Sequence, residues 1–148
     1  MSVPSSQTWI SRSPQDTESF GARVAALASK GRVIGLSGDL GAGKTALIRG
    51  LARGLGYTGR IHSPTFSLIN LYEGGRLPLF HLDLYRLEGQ AALHEAGLEE
   101  YLLRPEGISA VEWIGRWTPP PGNEPHWSIH LATLDDTTRE ITHDIPGL

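Results

Sequence analysis

The chain contains no cysteine, which excludes disulfides, zinc–thiolate sites and thiol catalysis. Lysine is nearly absent as well. Only Lys30 and Lys44 occur, and almost all of the 13 basic residues are arginines. No surplus of positive charge exists: the formal net charge is −3 and the pI is near 6.0, which argues against an all-over nucleic-acid-binding surface. No apolar run approaches the roughly 18 residues that a membrane-spanning helix requires. The opening "MSVPSSQTWISRSPQ" has no basic start followed by an apolar core, so no secretory signal is expected and a cytoplasmic location is. Internal repeats are missing, and the one biased stretch, "TPPPGNEP" at 118–125, reads as a loop. What remains is 148 residues at 39% hydrophobic content, enough for one domain over residues 1–148 with a single real core.

Periodicity orders that domain. After Pro14, Asp16 or Thr17 can cap a helix in which Phe20, Val24, Leu27 and Ala28 recur at helical spacing, ending at Lys30-Gly31. "RVIGLSG" reads as a buried strand. Leu47, Ile48, Leu51 and Leu55 then make one helix face, with Gly54 and Gly56 at its end. Two strands follow within "FSLINLYEGGRLPLFHLDLYRL", turning at Glu73-Gly74-Gly75-Arg76, and Pro78 suggests a sheet edge or bulge. "EGQAALHEAGLEEYLL" is helical in two pieces broken at Gly97, "GISAVEW" is another strand, and "HWSIHLATL" with "REITHDI" forms a terminal hairpin. The pattern is α/β with added antiparallel hairpins.

Between the first buried strand and the helix after it lies "GDLGAGKT", residues 38–45. It fits G-x-x-x-x-G-K-[ST], the phosphate-binding P-loop. Glycines let backbone N–H groups curl around phosphate oxygens, and the next helix points its positive end at them. The Lys44 ammonium reaches the β- and γ-phosphates, and the Thr45 hydroxyl ligates Mg²⁺. Gly38, Asp39, Leu40, Gly41, Ala42, Gly43, Lys44, Thr45 and Ala46 are the nucleotide-binding set, Ala46 through its amide alone. The expected architecture is therefore a P-loop NTPase-like three-layer fold around a mixed sheet.

A P-loop also needs a carboxylate at the end of a neighbouring strand for the metal. Asp83 in "LFHLDLYRL" and Glu112 in "ISAVEW" both qualify, since open α/β sheets place ligands at the carboxyl ends of their strands. His81 and His62 read as structural, and Trp113 and Trp117 as core or loop-packing aromatics. Arg49, Arg53 and Arg60 read as a solvated face. No motif assigns an arginine finger, and the stretch Trp9 to Arg12 is the candidate for packing on the base.

Taken in order, the P-loop, "SPTFSLINLYEG", "FHLDLYRL", "AGLEEYL" and "AVEW" make the chain resemble the TsaE family over most of its length. These are small bacterial ATPases of tRNA threonylcarbamoyladenosine formation. The resemblance implies ATP and Mg²⁺ as ligands, with phosphate binding at Gly41 to Lys44 and Mg²⁺ binding at Thr45 and Glu112. It makes Asp83 important for hydrolysis and Thr65 part of the active site. It also implies two partners, a threonylcarbamoyl transferase and its paralogous scaffold subunit (TsaD and TsaB type), acting on adenosine 37 of tRNAs that read codons beginning with A. In such a system tRNA is met through the complex, and hydrolysis by the isolated chain is expected to be slow. Gln90-Ala91-Ala92, and Ile114 after "VEW", depart from the family's usual acidic residues and proline. The alternative from the residues alone is a small P-loop kinase, for which Arg86 and Arg104 would serve as lid arginines.

Overall fold

The computed structural model describes residues 6–39, 42–61, 68–87, 89–122 and 126–148. Seven strands form one sheet in the order β1-β7-β6-β2-β5-β4-β3. Here β1 is Gln7–Ser11, β2 Val33–Gly38, β3 Ile69–Tyr72, β4 Leu79–Asp83, β5 Ile108–Glu112, β6 Trp127–Thr133 and β7 Arg139–His143. The centre is parallel, with β2 paired to both β5 and β6, and β4 paired to β5. Antiparallel pairs β3–β4, β6–β7 and β1–β7 flank it. The expected mixed sheet with added hairpins is present.

Alternation along the strands sorts the core into two clusters. On one face Ile34, Leu36, Ala110, Ile129, Leu131 and Ile141 meet helices α1, Pro14–Leu27, and α2, Lys44–Gly54. On the other, Val33, Phe80, Leu82 and Val111 meet Leu93, Leu98 and Leu102 of the segment holding the short helices α3, Gly89–Glu95, and α4, Glu99–Leu103. This second helical layer stops at β2. Beyond it β6 presents Ser128 and His130 as exposed residues.

The seat of α2 is set by two glycines. A Cβ on Gly50 would stand 2.1 Å from the Glu18 carbonyl oxygen, and one on Gly21 2.5 Å from that of Leu47. Any side chain there would force α1 and α2 apart, so glycine is required despite its cost inside a helix.

Several local expectations need correction. Ser13, not Asp16 or Thr17, caps α1: its hydroxyl accepts from the Asp16 N–H at 3.0 Å. Pro14 occupies the first turn, where its missing N–H costs nothing. The Asp16 carboxylate instead accepts from the Arg12 N–H at 2.9 Å, while Thr17 is buried against the Ser11 hydroxyl at 2.7 Å. The helix stops at Leu27, before Lys30-Gly31, and Leu27 itself is exposed. Pro78 marks neither an edge nor a bulge. It lies just before β4, an interior strand, and its carbonyl accepts from the Ile108 N–H at 3.0 Å. No donor is needed at that position, so proline is tolerated. β1 is an added element. It carries Trp9, whose ring stacks on Phe20 at 5.5 Å.

Candidate nucleotide site

β2 runs straight into the glycine-rich loop, and α2 leaves it. Gly43 takes the left-handed conformation, φ 99°, that turns the chain into α2, and no side chain caps the helix. Among the described residues no side chain claims the N–H groups of its first turn at the positive end of the helix, which suits them to phosphate oxygens. Thr45 is exposed on this turn. The Ala42 N–H is held by the Asp39 carbonyl at 3.0 Å. Leu40, Gly41, His62 and Thr65 lie outside the described residues.

Parallel pairing brings the carboxyl ends of β4 and β5 together, with Asp83 opposite Glu112 and His81 opposite Ala110. Lys44 reaches across from α2. Its Nζ donates to the Gly38 carbonyl at 3.1 Å and lies 3.2 Å from Glu112 Oε1. The other carboxylate oxygen, Oε2, accepts from His81 Nε2 at 2.8 Å. A carboxylate only accepts, so the ring must carry a hydrogen on Nε2. Burial raises the Glu112 pKa, but the His81 hydrogen bond and the nearby Lys44 charge outweigh it and hold the acid below its ordinary value. Glu112 is therefore an ionised carboxylate in a largely buried place. Asp83 is held differently: its Oδ1 accepts from the Tyr85 N–H at 3.0 Å, an Asx turn just past the strand.

The structure thus brings Lys44, Glu112 and His81 into contact and sets Asp83 beside them. Sequence reasoning missed what His81 touches. Its period-two spacing from Asp83 was the available signal, because it puts both on one face of the strand. Trp117 is buried, as expected of a packing aromatic, while Trp113 is half exposed with φ 61° and its ring lies 5.0 Å from that of Tyr85. Arg116 covers both rings, at 5.7 and 5.8 Å from their centroids. A cavity of about 270 Å³ opens beside Gly38 and Lys44, walled by Ser37, Trp113, Ile114 and His126.

The other arginines have local work. Arg49 pairs with Glu18 at 3.3 Å, and Arg53 donates to the Tyr57 and Gly59 carbonyls. Gln90 holds both backbone groups of Thr118, at 3.2 and 2.9 Å, so this departure from the family pattern pins the turn after Trp117.

Residues 11–141 match the family model described as threonylcarbamoyl adenosine biosynthesis protein TsaE. A Bacillus subtilis protein named tRNA threonylcarbamoyladenosine biosynthesis protein TsaE is 44% identical, covering 94% of this chain and 85% of its own. A protein of the same name from Nostoc is 49% identical, covering 85% and 78% respectively. A crystal structure of Bacillus subtilis YdiB superposes with a TM-score of 0.76 at 34% identity, covering 94% of this chain and 84% of that one. On the match over residues 11–141 and these identities, the chain belongs to the TsaE family.

Proposed function

We propose that this protein binds and hydrolyses ATP as the Mg²⁺-dependent motor component of tRNA threonylcarbamoyladenosine formation in the cytoplasm. The observation that carries the reading is the meeting of Lys44 with Glu112 at the uncapped start of α2. A phosphate-binding lysine and an ionised acid stand there side by side. The names of the relatives supply the pathway, and family membership disfavours the kinase alternative.

The donor set fits the metal. A hydroxyl at Thr45 and a carboxylate at Glu112 are hard oxygen donors, too few for a protein-only cage. They suit a magnesium ion that arrives with its nucleotide and keeps much of its water. When bound, the ion would neutralise charge on the β- and γ-phosphates.

The chain's own residues do the rest. Helix α2 and the loop amides grip the phosphates. Lys44 must exchange Glu112 for a phosphate oxygen, and this release frees the carboxylate for the metal. Asp83, fixed by its turn, orients the attacking water. Charge beyond Lys44 is still wanted on the γ-phosphate, and an arginine given in trans typically adds about 10³ to 10⁵ in rate. The partners, a transferase and its scaffold subunit of TsaD and TsaB type, would complete the site and couple turnover to assembly, with tRNA met through the complex. Phosphate release, measured alone and with both partners, tests this. The expected result is slow hydrolysis raised at least tenfold by the partners, about 1.4 kcal/mol. A fast rate indifferent to partners, or a phosphorylated metabolite as product, would overturn it.

A further inference from the structure

His81 is a buried imidazole, 2% exposed, on an interior strand whose inward neighbour Leu79 belongs to the apolar core. Burying a polar ring there costs free energy unless it gains something. Among the described residues its only hydrogen-bond partner is Glu112, and Nδ1 has none. An aliphatic side chain would fill this place more cheaply. The ring also stands on the side of Glu112 away from Lys44: one carboxylate oxygen faces the lysine, the other the histidine.

We propose that His81 is the positioning residue for Glu112, holding the carboxylate in one orientation from beneath so that it stays aimed at the metal's place when Lys44 leaves it for phosphate. This rests on the reading of function above. Without the donor, Glu112 would have, among the described residues, only Lys44 to orient it. It would follow the ammonium, or turn away, when nucleotide binds. Nucleotide contacts on the loop do not pass through His81, so the effect is confined to the metal.

The test compares His81→Gln, whose side-chain amide can donate from nearly the same place as Nε2, with His81→Leu, which cannot. Mg²⁺ is titrated into each protein with a non-hydrolysable ATP analogue, and ADP is titrated separately without metal. In His81→Leu the Mg²⁺ midpoint should weaken at least tenfold, the usual scale for losing the group that orients a metal ligand. Its metal-free ADP affinity should stay within about threefold, and His81→Gln should recover most of the Mg²⁺ affinity. Equal behaviour of the two variants, or parallel loss of ADP and Mg²⁺ binding, would mean that the ring merely fills space. A second measurement needs no nucleotide: thermal unfolding of His81→Leu, Glu112→Gln and the double variant. Non-additive losses support the contact and additive ones sink it. Absence of nucleotide binding by the wild-type protein would overturn the proposed function, and the unfolding cycle would still decide the role of His81.

Discussion

Two adjacent parallel strands finish in the same way, β4 with Asp83 and an aromatic two residues on, β5 with Glu112 and an aromatic directly after. Their surroundings make them different acids. Glu112 is sunk between Lys44 and His81 and kept ionised by both. Asp83, half-buried like Glu112, is tied to a backbone N–H of its own turn. A carboxylate with a lysine on one side and a buried imidazole on the other keeps one fixed support while the lysine is free to change partner. One bound by its own turn is fixed in place. The first suits a metal that comes and goes with the nucleotide, the second the steady orientation of a water.

The largest expected effect comes from breaking the member held by Lys44 and His81. Glu112→Gln keeps the shape and removes the charge, and should lower Mg²⁺-dependent hydrolysis about a hundredfold, close to 2.7 kcal/mol of transition-state stabilisation. Thr45→Ala, removing the hydroxyl at the other side of the metal, should cost at least tenfold. Steady-state phosphate release measures both. An unchanged rate in Glu112→Gln would transfer the metal to Asp83.

The acid held by its own turn should behave otherwise. Asp83→Asn retains an oxygen for the Tyr85 N–H, so the turn survives and only the charge goes. Turnover should fall about tenfold with KM within about twofold, the sign of an interaction made in the transition state alone. Titration with a non-hydrolysable analogue separates the outcomes. If binding collapses together with the rate, Asp83 is holding the site together and the contrast between the two acids is lost.

How much of this contrast is written in the sequence depends on range. The P-loop is a local pattern, and its strand, loop and helix follow from neighbours within a few residues. Glu112 and Asp83 were visible as acids closing apolar runs. Their different surroundings were not, because Lys44, His81 and Glu112 meet only through the register of β4 on β5 and the crossing of α2 above them. β1 escaped notice because "QTWIS" is short and not strictly alternating. The cap at Ser13 was hidden by Pro14, which reads as a stop where it opens a helix. Gly21 and Gly50 look like weaknesses in amphipathic helices until the two helices are seen to touch.

That crossing offers a smaller effect on the scaffold side. Gly50→Ala would place its Cβ 2.1 Å from the Glu18 carbonyl oxygen, and overpacking of this kind costs about 1–3 kcal/mol. A Cβ on Gly115, in the turn after Glu112, meets nothing within 4 Å, so Gly115→Ala should change stability by about 0.5 kcal/mol or less. Urea unfolding compares them. Equal stability in the two variants would show that α2 can shift, and with it Lys44.

The smallest effect is on the pH dependence of stability, and it isolates Glu112. Its folded pKa lies below the ordinary value of 4.5, so the folded state binds fewer protons than the unfolded one in that range. The associated stabilisation is fully present above the unfolded pKa and disappears as pH falls through the folded one. Burial, which raises the Glu112 pKa, instead lowers those of His126 and His143, which sit below 6.5 although the Asp144 charge partly opposes it. Their contribution is already being lost as pH falls below that value. Stability should therefore decline in two stages on acidification, the histidines first and then Glu112 with Asp135, whose carboxyl the Thr137 and Thr138 hydrogen bonds also hold below its ordinary value. Glu112→Gln should leave the first stage untouched and flatten the second, so its unfolding curve approaches that of the wild type between about pH 5 and pH 3. Thermal melts across this range read the difference directly. A constant gap at every pH would mean that the Lys44–Glu112–His81 contacts do not favour the ionised acid, and that the two strand ends are more alike than their geometry shows.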